Sequence, residues 1–266
     1  GHAENTPENI AQEYIELYNR GGDPVSLGGW RLADGVDVNF PEGAILGVGE
    51  YLVVAADVTA FRAKYPGVTN VVGGWTGRLS NSGEQVELVD AMGVLVDRVE
   101  YCDEGDWAVR ELGPVDYGHR GWRWLDGHDG GGKSLELVNR DLSNDYGQNW
   151  AASNSAQGTP GALNSVNDAD VAPLIVDVEH FPIIPHEGDA VTVTAQIIDE
   201  SSSGVSAALR YRIDTSSYTN GNENIYPHHN PGDYSDVPMY DDGAHGDGAA
   251  GDGLYGGLLP AQPSGS

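Results

Sequence analysis

Short apolar runs separated by glycine and proline recur along the whole chain, and no stretch keeps a sustained helical periodicity. Residues 51–56 (YLVVAA) have the length of a strand and are apolar throughout, which indicates a strand buried on both faces. The 266 residues include 38 glycines and 14 prolines, and this content favours short strands joined by tight turns. Only residues 58–65, which end before Pro66 and Gly67, predict a helical turn or two. The chain is therefore predicted to be all-β.

The remaining strands are predicted from alternation and from apolar runs of strand length. Between 216 and 236 the sequence is polar and rich in Asn, Pro and Gly, so we expect a long loop there. The predicted strands cover residues 13–18, 29–33, 84–89, 93–101, 133–138, 190–198 and 208–213, and a new apolar run starts at 171–178.

A domain boundary is predicted where the chain becomes poor in strand-forming residues. Residues 158–165 (GTPGALNS) and the polar residues 166–170 (VNDAD) suit neither a strand nor a helix. We therefore expect one domain at about 1–165 and a second at about 170–266. Two sheets that face each other are the simplest way to bury strands of this kind, so each domain is predicted to be a β-sandwich.

The charge of the chain is strongly one-sided. Lys and Arg number 13 against 41 Asp and Glu, which gives a net charge of −28 and a pI near 4.2. Such a polyanion repels phosphate backbones and anionic lipids, so nucleic-acid binding is not expected. No apolar run approaches the roughly 20 residues of a transmembrane helix, so direct membrane insertion is not expected either. The acidity favours solubility in a saline medium or neutralisation of some carboxylates by divalent cations.

The single cysteine, Cys102, excludes an intramolecular disulfide. Its neighbours at 99–101 (VEY) indicate a strand, and we expect a buried, inert thiol. Sequence patterns of a nucleophile with its base are absent: there is no Gly-x-Ser-x-Gly, no zinc-protease helix motif and no Cys-His arrangement. The sequence therefore predicts that the chain is not an enzyme.

An Asp-Gly repeat near the C-terminal end is the strongest candidate for a metal site. Asp242, Asp247 and Asp252 recur every five residues, each followed by glycine, and Asp241 adds a fourth carboxylate. Glycines permit the tight turns that fold such a loop onto itself, and carboxylates are oxygen ligands that calcium prefers. The four aspartates are predicted to bind calcium. The alternative is a Gly/Asp-rich hairpin in which the aspartates cap their own turns, and His245 adds weak support for a transition metal.

A second candidate site is the run HRGWRW at 119–124. Aromatic rings beside guanidinium groups suit a contact surface for carbohydrate or peptide. The alternative is a sandwich loop whose tryptophans close the edge of the core while its arginines pair with nearby acids. The predicted binding residues are His119, Arg120, Trp122, Arg123 and Trp124.

The order of the sequence blocks in the first domain resembles the lamin-tail domain of secreted bacterial proteins, an immunoglobulin-like β-sandwich. One difference is that residues 1–9 are polar, where that family opens with an apolar strand, and an open sheet edge could result. The blocks are 13–19 (EYIELYN), 25–32 (VSLGGWRL), 40–46 (FPEGAIL), 49–57 (GEYLVVAAD), 79–88 (LSNSGEQVEL), 95–101 (LVDRVEY) and the closing 158–165.

The second domain resembles the immunoglobulin-like or fibronectin-like module that follows a lamin-tail domain in large planctomycete-type surface proteins, which often also carry a CotH kinase-like domain. The resemblance implies two consecutive immunoglobulin-like β-sandwich domains, the second of them C-terminally truncated. It further implies a non-catalytic structural or interaction module of a larger secreted or cell-surface protein. The expected partner is a protein or polysaccharide of the cell envelope or extracellular matrix. The alternatives are a calcium-stabilised adhesin or carbohydrate-binding unit, and an accessory region of an enzyme whose catalytic domain lies outside this chain.

Overall fold

The chain divides into two compact units. The computed structural model describes residues 9–114, 122–125, 127–128, 131–201, 204–212 and 234–261. One unit comprises 1–111 with 124–169, and the other comprises 112–123 with 170–266. The division after residue 169 lies at the end of the predicted linker, while 112–123 group with the second unit rather than the first. The sequence analysis expected residues 1–9 to lack the opening strand of the family. Of these residues, 1–8 lie outside the described part of the chain.

Strands make up nearly all of the regular structure. The strands up to residue 152 are β1 (Tyr14–Tyr18), β2 (Val25–Ser26), β3 (Arg31–Asp34), β4 (Val36–Asn39), β5 (Ile45–Leu46), β6 (Tyr51–Ala55), β7 (Val71–Gly73), β8 (Thr76–Gly77), β9 (Glu84–Val89), β10 (Leu95–Tyr101), β11 (Val109–Leu112), β12 (Trp122–Leu125), β13 (Leu135–Leu137) and β14 (Trp150–Ala152). The later strands are β15 (Leu174–Phe181), β16 (Val191–Ile198), β17 (Ala207–Tyr211), β18 (Ser235–Met239) and β19 (Leu254–Leu259). The helical elements are α1 (Val58–Lys64) and the short 3-10 helices Ile10–Gln12, Gly105–Trp107 and Gly147–Asn149.

The first unit is a β-sandwich around a shared core. One sheet has the order β10-β9-β3-β4-β8 and the other the order β1-β6-β7, in which only β6 and β7 run parallel. The core contains Leu32 and Val36 from the larger sheet together with Leu52 and Val54 from the smaller one. Burial of apolar side chains between two sheets is the arrangement predicted from the sequence.

Both faces of β6 are buried, as the continuous apolar run predicted. Leu52 and Val54 point into the core between the sheets, whereas Val53 and Ala55 pack with Phe61 in a second cluster. Because side chains alternate along a strand, the smaller sheet needs a cover on its outer face. Phe61 lies on α1, so this helix provides that cover.

The helix predicted at 58–65 forms as α1. Asp57 caps its N-terminus: the carboxylate accepts hydrogen bonds from the N–H groups of Thr59 and Ala60 at 2.7 and 3.0 Å. This cap satisfies donors that a helix start otherwise leaves free. Phe61 is fully buried on the inner face, which orients α1 on the sheet.

The environment of Cys102 differs from the expectation of a buried thiol. Cys102 follows β10 directly and is only half-buried. Its Sγ lies 3.8 Å from the carbonyl of Ser82 and 3.7 Å from Oδ1 of Asp103. The prediction was wrong because β10 is the outermost strand of its sheet, with largely exposed side chains.

The second unit is built from a three-stranded sheet, β15-β16-β19, and a two-stranded sheet, β17-β18. Among its described residues, the buried apolar side chains are Leu174, Val176, Val191 and Ala195. β15, β16 and β17 form at the predicted positions, but β18 begins at Ser235, inside the predicted loop 216–236. The rest of that loop, up to residue 233, lies outside the described residues. Within the described part of the chain, no helix is long and apolar enough to cross a membrane.

Candidate functional site

The Asp-Gly repeat forms a loop of residues 241–253 that connects β18 to β19, here called the aspartate loop. Its two ends are fixed by backbone pairing. Tyr240 and Gly256 exchange two hydrogen bonds of 2.8 Å, and the carbonyl of Gly253 accepts from the N–H of Ile197 at 2.9 Å. The loop is therefore anchored both to β19 and to β16, in the sheet of the second unit.

Asp247 organises the first half of the aspartate loop from inside. Its side chain is fully buried, and its carboxylate accepts hydrogen bonds from the N–H groups of Asp242, Gly243 and His245 at 2.5, 2.8 and 2.7 Å. Burial raises the pKa of Asp247, but the backbone donors outweigh it and lower the pKa to about 2. The carboxylate is therefore ionised at neutral pH, although no Lys or Arg follows Arg212 in the sequence.

Asp241 and Asp252 organise the second half in the same way. The carboxylate of Asp241 accepts from the N–H groups of Gly251 and Gly253 at 2.6 and 3.0 Å. The carboxylate of Asp252 accepts from those of Ala249 and Leu254 at 2.9 and 3.0 Å. Each aspartate thus closes a turn by binding backbone donors with both of its oxygens.

Asp242 lies at the outer surface of the loop and contacts His245. Its Oδ1 is 2.9 Å from Nδ1 of His245 and accepts from the N–H of Ala244, also at 2.9 Å. The hydrogen bond with His245, followed by that with Ala244, lowers the pKa of Asp242. The ring of Tyr240 stacks on that of His245 with centroids 4.6 Å apart. This contact holds the imidazole against the start of the loop.

Glycine is required where the chain turns back on the carboxylates. Gly248 has φ 77° and Gly253 has φ 83°, both in the left-handed region. A Cβ at Gly248 would lie 2.7 Å from Oδ2 of Asp252, and one at Gly253 would lie 2.5 Å from the side-chain nitrogen of Gln196. The five-residue spacing of Asp-Gly pairs therefore serves the tight folding of this loop.

In the structure, the four aspartates accept hydrogen bonds from donors of the loop itself, as the turn-capping alternative describes. Among the described residues, no three His, Cys, Asp or Glu side chains converge in a way that could hold a metal ion. The carboxylates of Asp241, Asp247 and Asp252 each use both oxygens on backbone N–H groups. Calcium binding by this loop stays a prediction.

A pair of carboxylates that the sequence did not suggest as a site, Glu16 and Glu136, lies in the first unit. Glu136 on β13 is 4% exposed. Its Oε1 accepts from the hydroxyls of Ser134 and Thr159 at 3.0 and 2.7 Å, and its Oε2 accepts from the N–H and the hydroxyl of Ser165, both at 2.8 Å. Buried carboxylates need such a full set of donors. Glu136 therefore fastens both ends of the segment 158–165, the predicted domain exit.

Glu16 on β1 holds the middle of the same segment. Its carboxylate accepts a hydrogen bond from the N–H of Gly161 at 2.5 Å. Burial raises the pKa of Glu16, the Gly161 hydrogen bond lowers it and the neighbouring Glu136 raises it; together they raise the pKa from 4.5 to about 7. Burial also raises the pKa of Tyr14 on the same strand. The sequence did not suggest this pair because the partners of both glutamates in the segment 158–165 lie far away in the sequence.

The predicted binding run at 119–124 is only partly described. His119 and Arg120 lie outside the described residues, as does the side chain of Trp122. Arg123 and Trp124 lie on β12, the first exposed and the second half-buried. A carbohydrate or peptide surface formed by these five residues stays a prediction.

Comparison with known families gives two matches. Residues 2–103 match the Lamin Tail Domain, and residues 185–266 match the second Ig-like domain of conditioned medium factor. A search of curated proteins finds no match. The chain thus contains a lamin-tail domain followed by an Ig-like domain, which confirms the resemblance and the immunoglobulin-like β-sandwich fold. Neither match includes a CotH kinase-like domain.

Proposed function

We propose that this chain is a non-catalytic structural or interaction module of a larger secreted or cell-surface protein. Lamin-tail and Ig-like domains are compatible with a structural or interaction role. The observation that carries the proposal is the use made of the buried carboxylates: Asp247 and Glu136 bind backbone and hydroxyl donors that shape loops. These groups stabilise the fold rather than face a substrate.

The strongest objection to a non-catalytic role is Glu16. Its raised pKa of about 7, together with the neighbouring carboxylate of Glu136, has the form of a general acid–base pair. However, Glu16 binds the N–H of Gly161, and Glu136 uses both oxygens on protein donors. Carboxyl groups with a structural role can have shifted pKa values, just as catalytic ones do. The contacts of Glu16 and Glu136 are those of groups with a structural role.

An extracellular location is supported by two observations. The family that matches residues 185–266 is named after a protein called conditioned medium factor. The net charge of −28 suits a soluble surface exposed to salt. An antibody against the chain, applied to fractionated source cells, should detect the protein in the medium or on intact cells. Detection in the cytoplasmic fraction alone would contradict this part of the proposal.

The proposed lack of catalytic activity is tested by incubation of the full chain with panels of fluorogenic peptide, ester and glycoside substrates. We expect no turnover above that of buffer. The variant Glu16→Gln is the matched control, since it removes the carboxyl group of Glu16, whose pKa is raised to about 7, while it keeps the side-chain volume. Turnover by the wild-type chain that disappears in Glu16→Gln would overturn the non-catalytic assignment.

A further inference from the structure

The hairpin formed by β15 and β16 ends in exposed apolar side chains. Phe181, Ile183 and Ile184, here called the apolar tip, are 73%, 77% and 77% exposed. β15 ends at Phe181 and β16 begins at Val191, so these side chains lie at the end of β15 and in the turn that follows. Single exposed apolar residues are ordinary, but here three large ones lie within four positions and together form an exposed apolar patch.

The apolar tip is held in place by local hydrogen bonds. The ring Nε2 of His180 lies 3.2 Å from the carbonyl of Ile183. Further along the turn, the N–H of His186 donates to Oδ2 of Asp189 at 2.8 Å, and the N–H of Asp189 donates to the carbonyl of His186 at 3.0 Å. A surface ordered before binding loses little conformational entropy when a partner docks.

The apolar surface continues from the tip onto the sheet. Phe181 pairs with Thr192 on β16, and Thr192 pairs with Leu258 on β19. Directly paired residues point to the same face of a sheet, so Phe181 and Leu258 lie on one face. Leu258 is itself 51% exposed. The tip and this row together offer an aromatic anchor with aliphatic neighbours, the composition of an interface centre.

The surroundings of the tip are acidic. Asp177, Glu179, Glu187 and Asp189 are all exposed, and no Lys or Arg occurs between Arg140 and Arg210. Acidic surroundings repel anionic lipids and nucleic acids, and they also repel a second copy of this chain. They attract a surface that carries Lys and Arg, because opposite charges at an interface rim steer association.

We propose that the apolar tip is a docking surface for a partner protein, in a segment that combines apolar side chains with Lys and Arg. The apolar residues of that segment cover Phe181, Ile183 and Ile184, and its basic residues lie against the acidic rim. This inference rests on the proposed role as an interaction module and names the surface that carries it.

The test is selection of a random displayed-peptide library on the full chain. The tip variant Phe181→Ser/Ile183→Ser/Ile184→Ser is the counter-selection target, and Met92→Ser, which alters an 85% exposed side chain of the first unit, is the matched control. Since all these side chains are exposed, the melting temperatures of the variants should agree with that of the wild type within about 2 °C. Peptides enriched on the wild type should combine apolar residues with Lys or Arg.

The selected peptides should bind the tip variant at least tenfold more weakly than the wild type, bind Met92→Ser equally, and lose affinity as salt rises. Equal binding to the tip variant would overturn the tip assignment while leaving an interaction role in place. Tip-dependent binding to neutral phosphatidylcholine vesicles would replace the protein partner with a membrane. Tip-dependent self-association in sedimentation would replace it with a second copy. The turnover assay on the same chain reports separately on the proposed non-catalytic function.

Discussion

The carboxylate of Glu16 accepts a hydrogen bond from the backbone N–H of Gly161, 145 residues later in the chain, at 2.5 Å. Two further residues, Tyr65 and Glu136, fix the same stretch. The hydroxyl of Tyr65 donates to the carbonyl of Gln157, and Glu136 binds Thr159 and Ser165. The segment that leaves the first unit is thus held by β1, by the end of α1 and by β13. It belongs to the structure of that unit, beyond the end of the lamin-tail match at residue 103.

The pKa of Glu16 predicts that the first unit loses stability as the pH rises from about 4.5 to about 7. In the folded state the pKa is raised from 4.5 to about 7, so in this window the folded state binds more protons than the unfolded one. The contribution is complete below the unfolded pKa and is lost as the pH passes the folded pKa. The free energy of unfolding should fall by at most about 1.4 kcal/mol per pH unit.

Urea unfolding followed by tryptophan fluorescence measures this effect, since five of the six tryptophans lie in the first unit. The variant Glu16→Gln cannot titrate, so the difference in unfolding free energy between wild type and variant should change across the window. A difference that stays constant from pH 4.5 to pH 7.5 would show that Glu16 has an ordinary pKa in the folded state.

Glu136→Gln should destabilise the first unit by about 3 kcal/mol, because hydrogen bonds to a charged acceptor contribute about 1.5–3 kcal/mol each and a buried donor left unpaired costs more. One oxygen of Glu136 would become an amide nitrogen that faces either the hydroxyls of Ser134 and Thr159 or the N–H of Ser165. Glu100→Gln, on an exposed position of β10, is the control and should change stability by less than about 0.5 kcal/mol. Equal effects of the two variants in urea unfolding would contradict the anchoring role of Glu136.

Local sequence patterns predicted the elements whose burial depends on neighbours along the chain. The run 51–56 gave β6, and the segment before Pro66 gave α1, because periodicity and stop signals are local properties. The role of Glu136 was not predicted because its partners Thr159 and Ser165 are 23 and 29 residues away, and no local sequence pattern links such positions. β19 was not predicted because Gly256 and Gly257 at its centre resemble a turn in the sequence. In the structure both glycines are buried within the strand.

The sequence predicted where the aspartate loop lies, but it did not decide whether its carboxylates face a cation or the backbone N–H groups of the loop. Asp-Gly spacing is compatible both with a cation in the centre and with turns capped from inside. The choice depends on whether backbone N–H groups point toward the carboxylate of Asp247, which only the folded loop shows.

Asp247→Asn should open the aspartate loop at neutral pH. An Asn side chain keeps one acceptor oxygen but turns an NH2 group toward backbone donors that Asp247 now satisfies. Hydrogen–deuterium exchange of peptides covering 241–256 should be faster in the variant by about tenfold or more, whereas peptides of β6 should be unchanged. Asp189→Asn, an aspartate outside the loop, is the control. Unchanged protection of the loop would show that Asp247 does not organise it.

The same carboxylate predicts acid sensitivity of the second unit. The folded pKa of Asp247 is lowered from 3.8 to about 2, so its contribution is complete above the unfolded pKa and is lost as the pH falls toward 2. Exchange in the loop, corrected for the intrinsic rate, should become faster between pH 4 and pH 2 in the wild type. The variant Asp247→Asn should show a smaller change over this range, and an equal change would place the acid-sensitive group elsewhere.

Thermal unfolding with calcium and then with excess chelator separates the two interpretations of the aspartate loop. A ligand that binds only the folded state at about 100 times its dissociation constant adds roughly 2.7 kcal/mol of stability, which raises the melting temperature of a domain of this size by about 10 °C or more. Because the carboxylates of Asp241, Asp247 and Asp252 already bind backbone N–H groups with both oxygens, a cation would have to share those oxygens with the donors. We therefore expect a shift of less than about 2 °C, with magnesium as the matched control for ionic strength. A rise near 10 °C with calcium alone, abolished by Asp241→Asn and Asp252→Asn, would instead establish the loop as a calcium site.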